Sequence, residues 1–174
     1  MFDPRLTWNT EDILQRDGGI PVRCKSGHAF MKECMRHNGV LYGGEMSAHH
    51  YFRDFSYCDS GMIPWLLVVE LMCRSGKKLS ELVEERMQLY PCSGEINRKV
   101  ADSAVVLAKL ATTYADGQQD TMDGLSVAYE NWRFNVRVSN TEPVMRLNVE
   151  TKGDKKLLEE KTAELLVIIG GEEA

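Results

Sequence analysis

Nothing in these 174 residues approaches the apolar run of ~20 residues that a membrane helix needs. The longest such run, residues 62–72, is interrupted by Pro64 and Glu70. The opening Met1-Phe2-Asp3-Pro4-Arg5 has no apolar h-region of the kind a secretory signal carries. Cysteine is sparse and unpatterned: Cys24, Cys34, Cys58, Cys73 and Cys92 are odd in number and form no C-x-x-C pair. That argues for reduced thiols and a cytoplasmic setting. Neither the cysteines nor the four histidines have the spacing of a zinc site, so no metal site is expected. Positive charge is also short. A net charge of −5 gives no general attraction to nucleic acid or an anionic membrane, and neither is expected as a partner. There is no internal repeat and no low-complexity tract.

What is present is ordinary for a globular chain, with 43% apolar and 27% charged residues. An anion would therefore be held by a local cluster, and one stretch offers it. Arg137-Val138-Ser139-Asn140-Thr141-Glu142-Pro143-Val144-Met145-Arg146 packs two arginines, two hydroxyls and an amide into ten residues. Apolar alternation on both sides reads as two strands with a polar loop between them. Hydroxyl, amide and backbone donors beside an arginine fork suit a phosphate dianion. The same residues would also serve an ordinary hairpin loop with local turn bonds.

Strand, helix, strand, helix, strand is predicted over residues 5–8, a helix capped by Asn9 or Thr10, residues 21–24, a helix over 29–36 and residues 40–42. That order implies a parallel sheet with right-handed crossovers. An apolar helix over 61–74 follows, its Trp65, Leu66, Val69 and Met72 stripe expected in the core, then a helix over 81–89 capped by Ser80. Pro91-Cys92-Ser93-Gly94 marks a boundary between a domain at 1–90 and another at 94–174. The second reads β-α-β-β-β-α, with a polar loop at 116–124 and a disordered tail at 170–174. The fold class is thus α/β: a partial parallel three-layer domain followed by a small α+β domain.

Gly43-Gly44-Glu45-Met46-Ser47-Ala48-His49-His50 offers a carboxylate, a hydroxyl and imidazoles on a loop next to a strand end. Together with residues 137–143 it resembles the G-E-M-S-[AG]-H sugar loop and the R-x-S-N-T-x-P phosphate loop of the α-D-phosphohexomutases, most of all their bacterial phosphomannomutase branch. Lys25-Ser26-Gly27-His28 resembles that family's K-T-G-H segment, with Ser26 in place of threonine. The resemblance implies most of the third and all of the fourth of four domains. It implies that Glu45 and Ser47 contact sugar hydroxyls, that His28 and His49 lie at the pocket rim, and that Arg5 is near the transferred group. Arg137, Ser139, Asn140 and Thr141 would hold the non-reacting phosphate, with Arg146 as a second cation and Glu142 facing outward. His37 and His50 are expected at the surface.

The family's phosphoserine segment, T-A-S-H-N-P, and its magnesium segment, D-G-D-x-D-R, do not occur in these residues. The chain is therefore expected to be the C-terminal, ligand-holding portion of a phosphomannomutase, with no catalytic residue of its own. Mg2+ is expected in the full-length enzyme, on ligands outside this chain. The expected partners are mannose 1-phosphate or mannose 6-phosphate, glucose phosphates as a second class, and the N-terminal domains of the same enzyme. The alternatives are an inactive phosphosugar-binding fragment, a phosphoglucomutase of the same family, and a remnant whose exposed edge and apolar face leave it unstable.

Overall fold

The computed structural model describes residues 1–139 and 143–174. The chain divides into two compact units, Met1–Gln88 and Leu89–Ala174.

In the first unit the chain starts at the centre of a small parallel arrangement. Phe2 bridges in parallel to Arg23 on one side and to Gly44 on the other. Its N–H donates to the Val22 carbonyl at 3.1 Å and its carbonyl accepts from the Cys24 N–H at 3.0 Å. This is the parallel sheet the sequence predicts, reduced to single bridges, and its central line is Phe2 rather than residues 5–8. The reason is local. The Asp3 carboxylate accepts the Arg5 N–H at 3.0 Å, a side-chain turn that takes the chain out of the sheet immediately after Phe2. Helix α1 (Trp8–Arg16) follows at once. Asn9 does not cap it, because its side-chain oxygen accepts from the Arg86 guanidinium at 2.6 Å, while Asp12 takes the other end of that fork at 2.7 Å.

Helix α2 (His28–Asn38) ends on Gly39, in the left-handed conformation that commonly terminates helices. Strands β1 (Tyr42–Gly44), β2 (His50–Phe52) and β3 (Cys58–Asp59) form an antiparallel sheet in the order β1-β2-β3. The sequence reading has only β1, two residues early. Strands β2 and β3 are missing from it, because strands of two and three residues leave almost no alternation to detect. Met1, Cys24, Met31, Met35 and Tyr51 make this unit's core cluster.

Helix α3 (Met62–Ser75) is started by Ser60, whose hydroxyl accepts the Met62 and Ile63 N–H groups at 3.2 and 3.3 Å. Its stripe is not core: Trp65 is 58% exposed and Leu66 56%, and the helix has no buried residue. The helix is apolar almost all round, so its sequence does not say which face is covered, and its side chains take no part in the core cluster. Helix α4 (Leu79–Leu89) begins earlier than Ser80 implies. Glu81 reaches back to the Lys78 N–H at 2.7 Å, the carboxylate half of a capping box.

The second unit is a six-stranded antiparallel sheet with two helices on one face. Its elements in chain order are β4 (Ile96–Lys99), α5 (Ser103–Thr113), β5 (Gln118–Asp120), β6 (Leu125–Ala128), β7 (Trp132–Val138), β8 (Met145–Thr151), α6 (Lys155–Ile169) and β9 (Glu172–Glu173). The strand order is β5-β6-β7-β8-β4-β9. Asp102 caps α5 through the Ala104 and Val105 N–H groups, and Asp154 caps α6 through the Leu157 N–H. Trp132, Phe134 and Val136 of β7 and Met145, Leu147 and Val149 of β8 face the helices and join Leu110, Leu165 and Ile169 in one core.

Two segments depart from the predicted pattern. Residues 118–120 form an edge strand inside the expected polar loop. Gln119 is drawn in by donating to the Ala111 and Tyr114 carbonyls at the end of α5. The tail is ordered as β9, which pairs with β4 in the register Arg98↔Glu173 and Lys99↔Glu172. Opposite charges face each other there. The turn into β9 needs Gly171 (φ +71), where a Cβ would run into the Lys99 carbonyl oxygen.

Large apolar residues therefore differ in worth. Phe134→Ala should destabilise the second unit by about 3–5 kcal/mol. Trp65→Ser should change the stability of this chain by less than ~0.5 kcal/mol. Urea unfolding followed by circular dichroism checks both.

Candidate functional site

The candidate residues fall into two clusters, one in each unit. In the second unit the polar face of β7 and β8 is a ladder. Side chains alternate along a strand, so Arg133, Asn135 and Arg137 lie on the face away from the helices. Directly opposite them on β8 are Glu150, Asn148 and Arg146. Arg133 and Glu150 are both buried and form an ion pair at 2.6 Å. Asn135 donates to the Asp123 carbonyl at 2.9 Å and to the Ser126 hydroxyl at 3.0 Å. Asn148 donates to the Gly94 carbonyl at 3.0 Å.

The third rung sets two cations against each other. Like charges directly opposite across a ladder destabilise it. Glu95, at the entry to β4, lies between them, 3.5 Å from Arg137 Nη2 and 3.1 Å from Arg146 Nη1. One carboxylate thus lies within reach of both guanidiniums and bridges them. Arg137 is 7% exposed, and among the described residues its Nε has no hydrogen-bond partner. The Ser139 N–H donates to the Val144 carbonyl at 2.9 Å and closes the strands beneath the loop. Asn140, Thr141 and Glu142 lie outside the described residues. An anion accepted here would sit beside two arginines and compete with Glu95 for them.

In the first unit the predicted sugar loop is the tight hairpin between β1 and β2. The Glu45 N–H donates to the His49 carbonyl and the Ala48 N–H to the Glu45 carbonyl, both at 2.9 Å. Ala48 completes the turn at φ 65, in the left-handed region. Ser47 is exposed at its tip. Glu45 is buried: Oε1 accepts the Gly27 N–H at 2.8 Å and Oε2 accepts the Tyr51 hydroxyl at 2.6 Å. It ties the start of α2 to the hairpin, and any contact with a sugar would use its remaining lone pairs. Burial, then the hydrogen bond and charge of Glu45, push the Tyr51 phenol well above its ordinary pKa, so it stays a donor.

Arg5 is 4% exposed, and its guanidinium is held two-fold by Asp3 at 2.9 and 2.7 Å. The same Asp3 accepts the Met46 N–H at 2.7 Å. Asp3 and Arg5 thus anchor the hairpin from below. His28 and His49 meet at Asp59: His28 Nε2 lies 3.3 Å and His49 Nδ1 3.2 Å from the same Asp59 oxygen. The two imidazoles are edge-on to one another, with centroids 5.0 Å apart. Burial works against the Asp59 charge, but the His49 hydrogen bond and the two imidazoles outweigh it and hold that carboxyl below its usual range. His50 turns aside, its Nδ1 2.6 Å from the Tyr42 hydroxyl.

Asp3, Tyr51, Asp59 and Glu95 are the residues that sequence reasoning misses. Each is an ordinary residue of a short element, and only the pairing of distant segments gives it a role. The exception is Asp3, whose two-residue spacing from Arg5 next to Pro4 signals a local turn.

Two family models match the chain. Residues 2–90 match the phosphoglucomutase/phosphomannomutase alpha/beta/alpha domain III, and residues 95–166 match the phosphoglucomutase/phosphomannomutase C-terminal domain. The chain belongs to the phosphoglucomutase/phosphomannomutase family. Similar relatives include a protein of Xanthomonas campestris pv. campestris (strain B100) named phosphohexose mutases, 58% identical over 98% of this chain and 39% of its own length. A phosphomannomutase of Escherichia coli (strain K12) is 54% identical over 97% of this chain and 38% of its own. A phosphoglucomutase/phosphomannomutase family protein from Burkholderia thailandensis has a crystal structure that superposes with a TM-score of 0.75 at 26% identity, covering 99% of this chain and 38% of that one. The chain thus spans less than two-fifths of the length of these family members. No described helix is long and apolar enough to cross a membrane.

Among the described residues, the one metal-ligating cluster does not fit the magnesium ion that the family resemblance implies. Two imidazoles and a carboxylate at His28, His49 and Asp59 are not the octahedron of oxygens Mg2+ demands.

If Glu95 competes with an anion for the two arginines, Glu95→Gln should bind inorganic phosphate more tightly, by roughly 10-fold for ~1.4 kcal/mol of released competition. Its melting temperature should fall in chloride and recover on adding phosphate. An equal response of wild type and variant, by differential scanning fluorimetry, would show that Glu95 does not compete.

Proposed function

We propose that this chain is the ligand-holding C-terminal portion of a phosphomannomutase that interconverts mannose 6-phosphate and mannose 1-phosphate in the cytoplasm. The observation that carries this reading is the opposed pair Arg137 and Arg146, bridged by Glu95, at the start of the R-x-S-N-T-x-P motif and in the strand that follows it. The names of the Xanthomonas and Escherichia coli relatives support it.

In this reading Arg137, Arg146 and Ser139, with Asn140 and Thr141, grip the phosphate that does not react. Charge-assisted forks fix both its position and its orientation. Glu45, Ser47, His28 and His49 meet the sugar hydroxyls from the hairpin. Arg5 acts through Asp3 by positioning that hairpin, since its guanidinium is already engaged. The reaction moves a phosphoryl group between a serine and either end of the sugar. The bisphosphosugar turns over between the two halves, so one grip must accept both orientations. Phosphoryl transfer also needs an in-line nucleophile and a cation. The nucleophilic serine and the magnesium that offsets charge belong to the remainder of the enzyme, and the chain alone turns nothing over. Glucose phosphates are the second substrate class, in line with the phosphoglucomutase in the matched family's description.

Isothermal titration with mannose 1-phosphate, glucose 1-phosphate and inorganic phosphate tests the reading, alongside a coupled mutase assay. Sugar phosphate should bind more tightly than phosphate, without turnover. Arg137→Ala should weaken it roughly 10- to 100-fold, the worth of a hydrogen bond to a charged group. Unchanged binding in that variant would remove the grip assignment.

A further inference from the structure

We propose that His28, His49 and Asp59 form a binding site for a divalent transition cation of the Zn2+ class. Each residue offers one donor atom, and the three donors lie within 4.8 Å of one another. Two separations are already those of a coordination sphere. Zinc bonds of ~2.0–2.1 Å at the tetrahedral angle place neighbouring donors about 3.3 Å apart. His28 Nε2 to Asp59 Oδ2 is 3.3 Å, and His49 Nδ1 to the same oxygen is 3.2 Å. Only the imidazole-to-imidazole edge has to close.

The arrangement is set by backbone rather than by flexible side chains. His49 and Tyr51 are alternate residues, and Asp59 is the cross-strand partner of Tyr51, so all three project from one face of the β2–β3 pair. His28 is the first residue of α2, whose start is fixed by the Gly27 N–H on Glu45. Its ring rests edge-on against Tyr51, centroids 5.2 Å apart. Tyr51 is itself fully buried and bonded to Glu45. The donors are half-exposed, so a cation can enter and keep water in its fourth position.

The chemistry selects the ion. Two imidazole nitrogens and one carboxylate suit Zn2+ and its first-row neighbours, whereas Mg2+ and Ca2+ require oxygen donors. The sequence argued against any zinc site because it weighed cysteine and histidine spacing alone. The third donor here is a carboxylate that the β2–β3 register brings in. His28 and His49 are also the imidazoles given to the sugar in the reading above. Resting on that reading, the bound cation and the sugar phosphate exclude each other; the cation site itself does not depend on it.

The test is titration of this chain with Co2+ followed by visible absorption, and with Zn2+ by calorimetry, without any sugar. One cation per chain should bind, with the ligand-field bands of nitrogen and oxygen ligation and no sulfur-to-cobalt charge transfer. Asp59→Asn, nearly isosteric, and His49→Gln should each weaken binding at least about 10-fold. Circular dichroism confirms that each variant is folded. The imidazole proton signals of wild-type His28 and His49 should also shift on adding Zn2+, a readout that needs no variant. Thiolate charge transfer, binding indifferent to both substitutions, or no saturable binding would overturn the site. None of these outcomes bears on phosphate binding at Arg137.

Discussion

The second unit depends on one constraint: the face of β7 and β8 turned away from the helices is both polar and buried. Each rung must be satisfied from within. Arg133 and Glu150 cancel one another. Asn135 and Asn148 are served by loop carbonyls and the Ser126 hydroxyl. Arg137 and Arg146 share Glu95. The ladder runs from an ion pair, through two amides, to two arginines that face each other across one carboxylate. Breaking a buried ion pair by removing one partner is costly, so the first rung keeps the strands in register. A scaffold that holds two like charges at a fixed separation has already met their repulsion in folding, and a dianion placed there relieves it.

The first unit solves a different problem with the same means. Its core cluster is small, and its parallel arrangement consists of single bridges on either side of Phe2. Two buried carboxylates supply the rest. Asp3 turns the chain, fixes Arg5 and holds the Met46 N–H. Glu45 joins Gly27 to Tyr51. Between them they lock both ends of the hairpin and the start of α2. The exposed His28 and His49 owe their relative position to these buried acids, to the ring contact of His28 with Tyr51 and to the Asp59 carboxylate they share.

Much of this was legible in the sequence where a local signal exists. Asp102 and Asp154 are cap residue types directly ahead of their helices, Gly39 is a terminator after α2, and alternation in β7 and β8 is long enough to give the strands and the face of every side chain. The two loops stood out because several uncommon chemical groups occur together. What could not be read depends on partners distant in sequence. Strands β2 and β3 are too short for a period. Glu45 reads as a sugar-facing acid on its loop, and only the fold shows that Gly27 and Tyr51 bond its oxygens. Nothing local in the sequence singles out Glu95, which the register Arg137↔Arg146 places against both cations. The tail was read as disordered because no sequence signal shows that Arg98 and Lys99 will face Glu173 and Glu172.

Helix α3 shows where a period argument fails on physical grounds. Amphipathic reading finds a core face by contrast with a polar one, and α3 offers little contrast, since apolar residues run round most of its circumference. Its composition therefore says that the helix favours burial, and nothing about what buries it. In β7 the contrast is complete, Trp132, Phe134 and Val136 against Arg133, Asn135 and Arg137, and both faces are buried. Burial alone does not distinguish the two faces; chemistry does. The apolar face is held by whatever packs on it, whereas the polar face is held only where each charge meets its partner. The polar face is therefore the one on which strand register decides which charges meet.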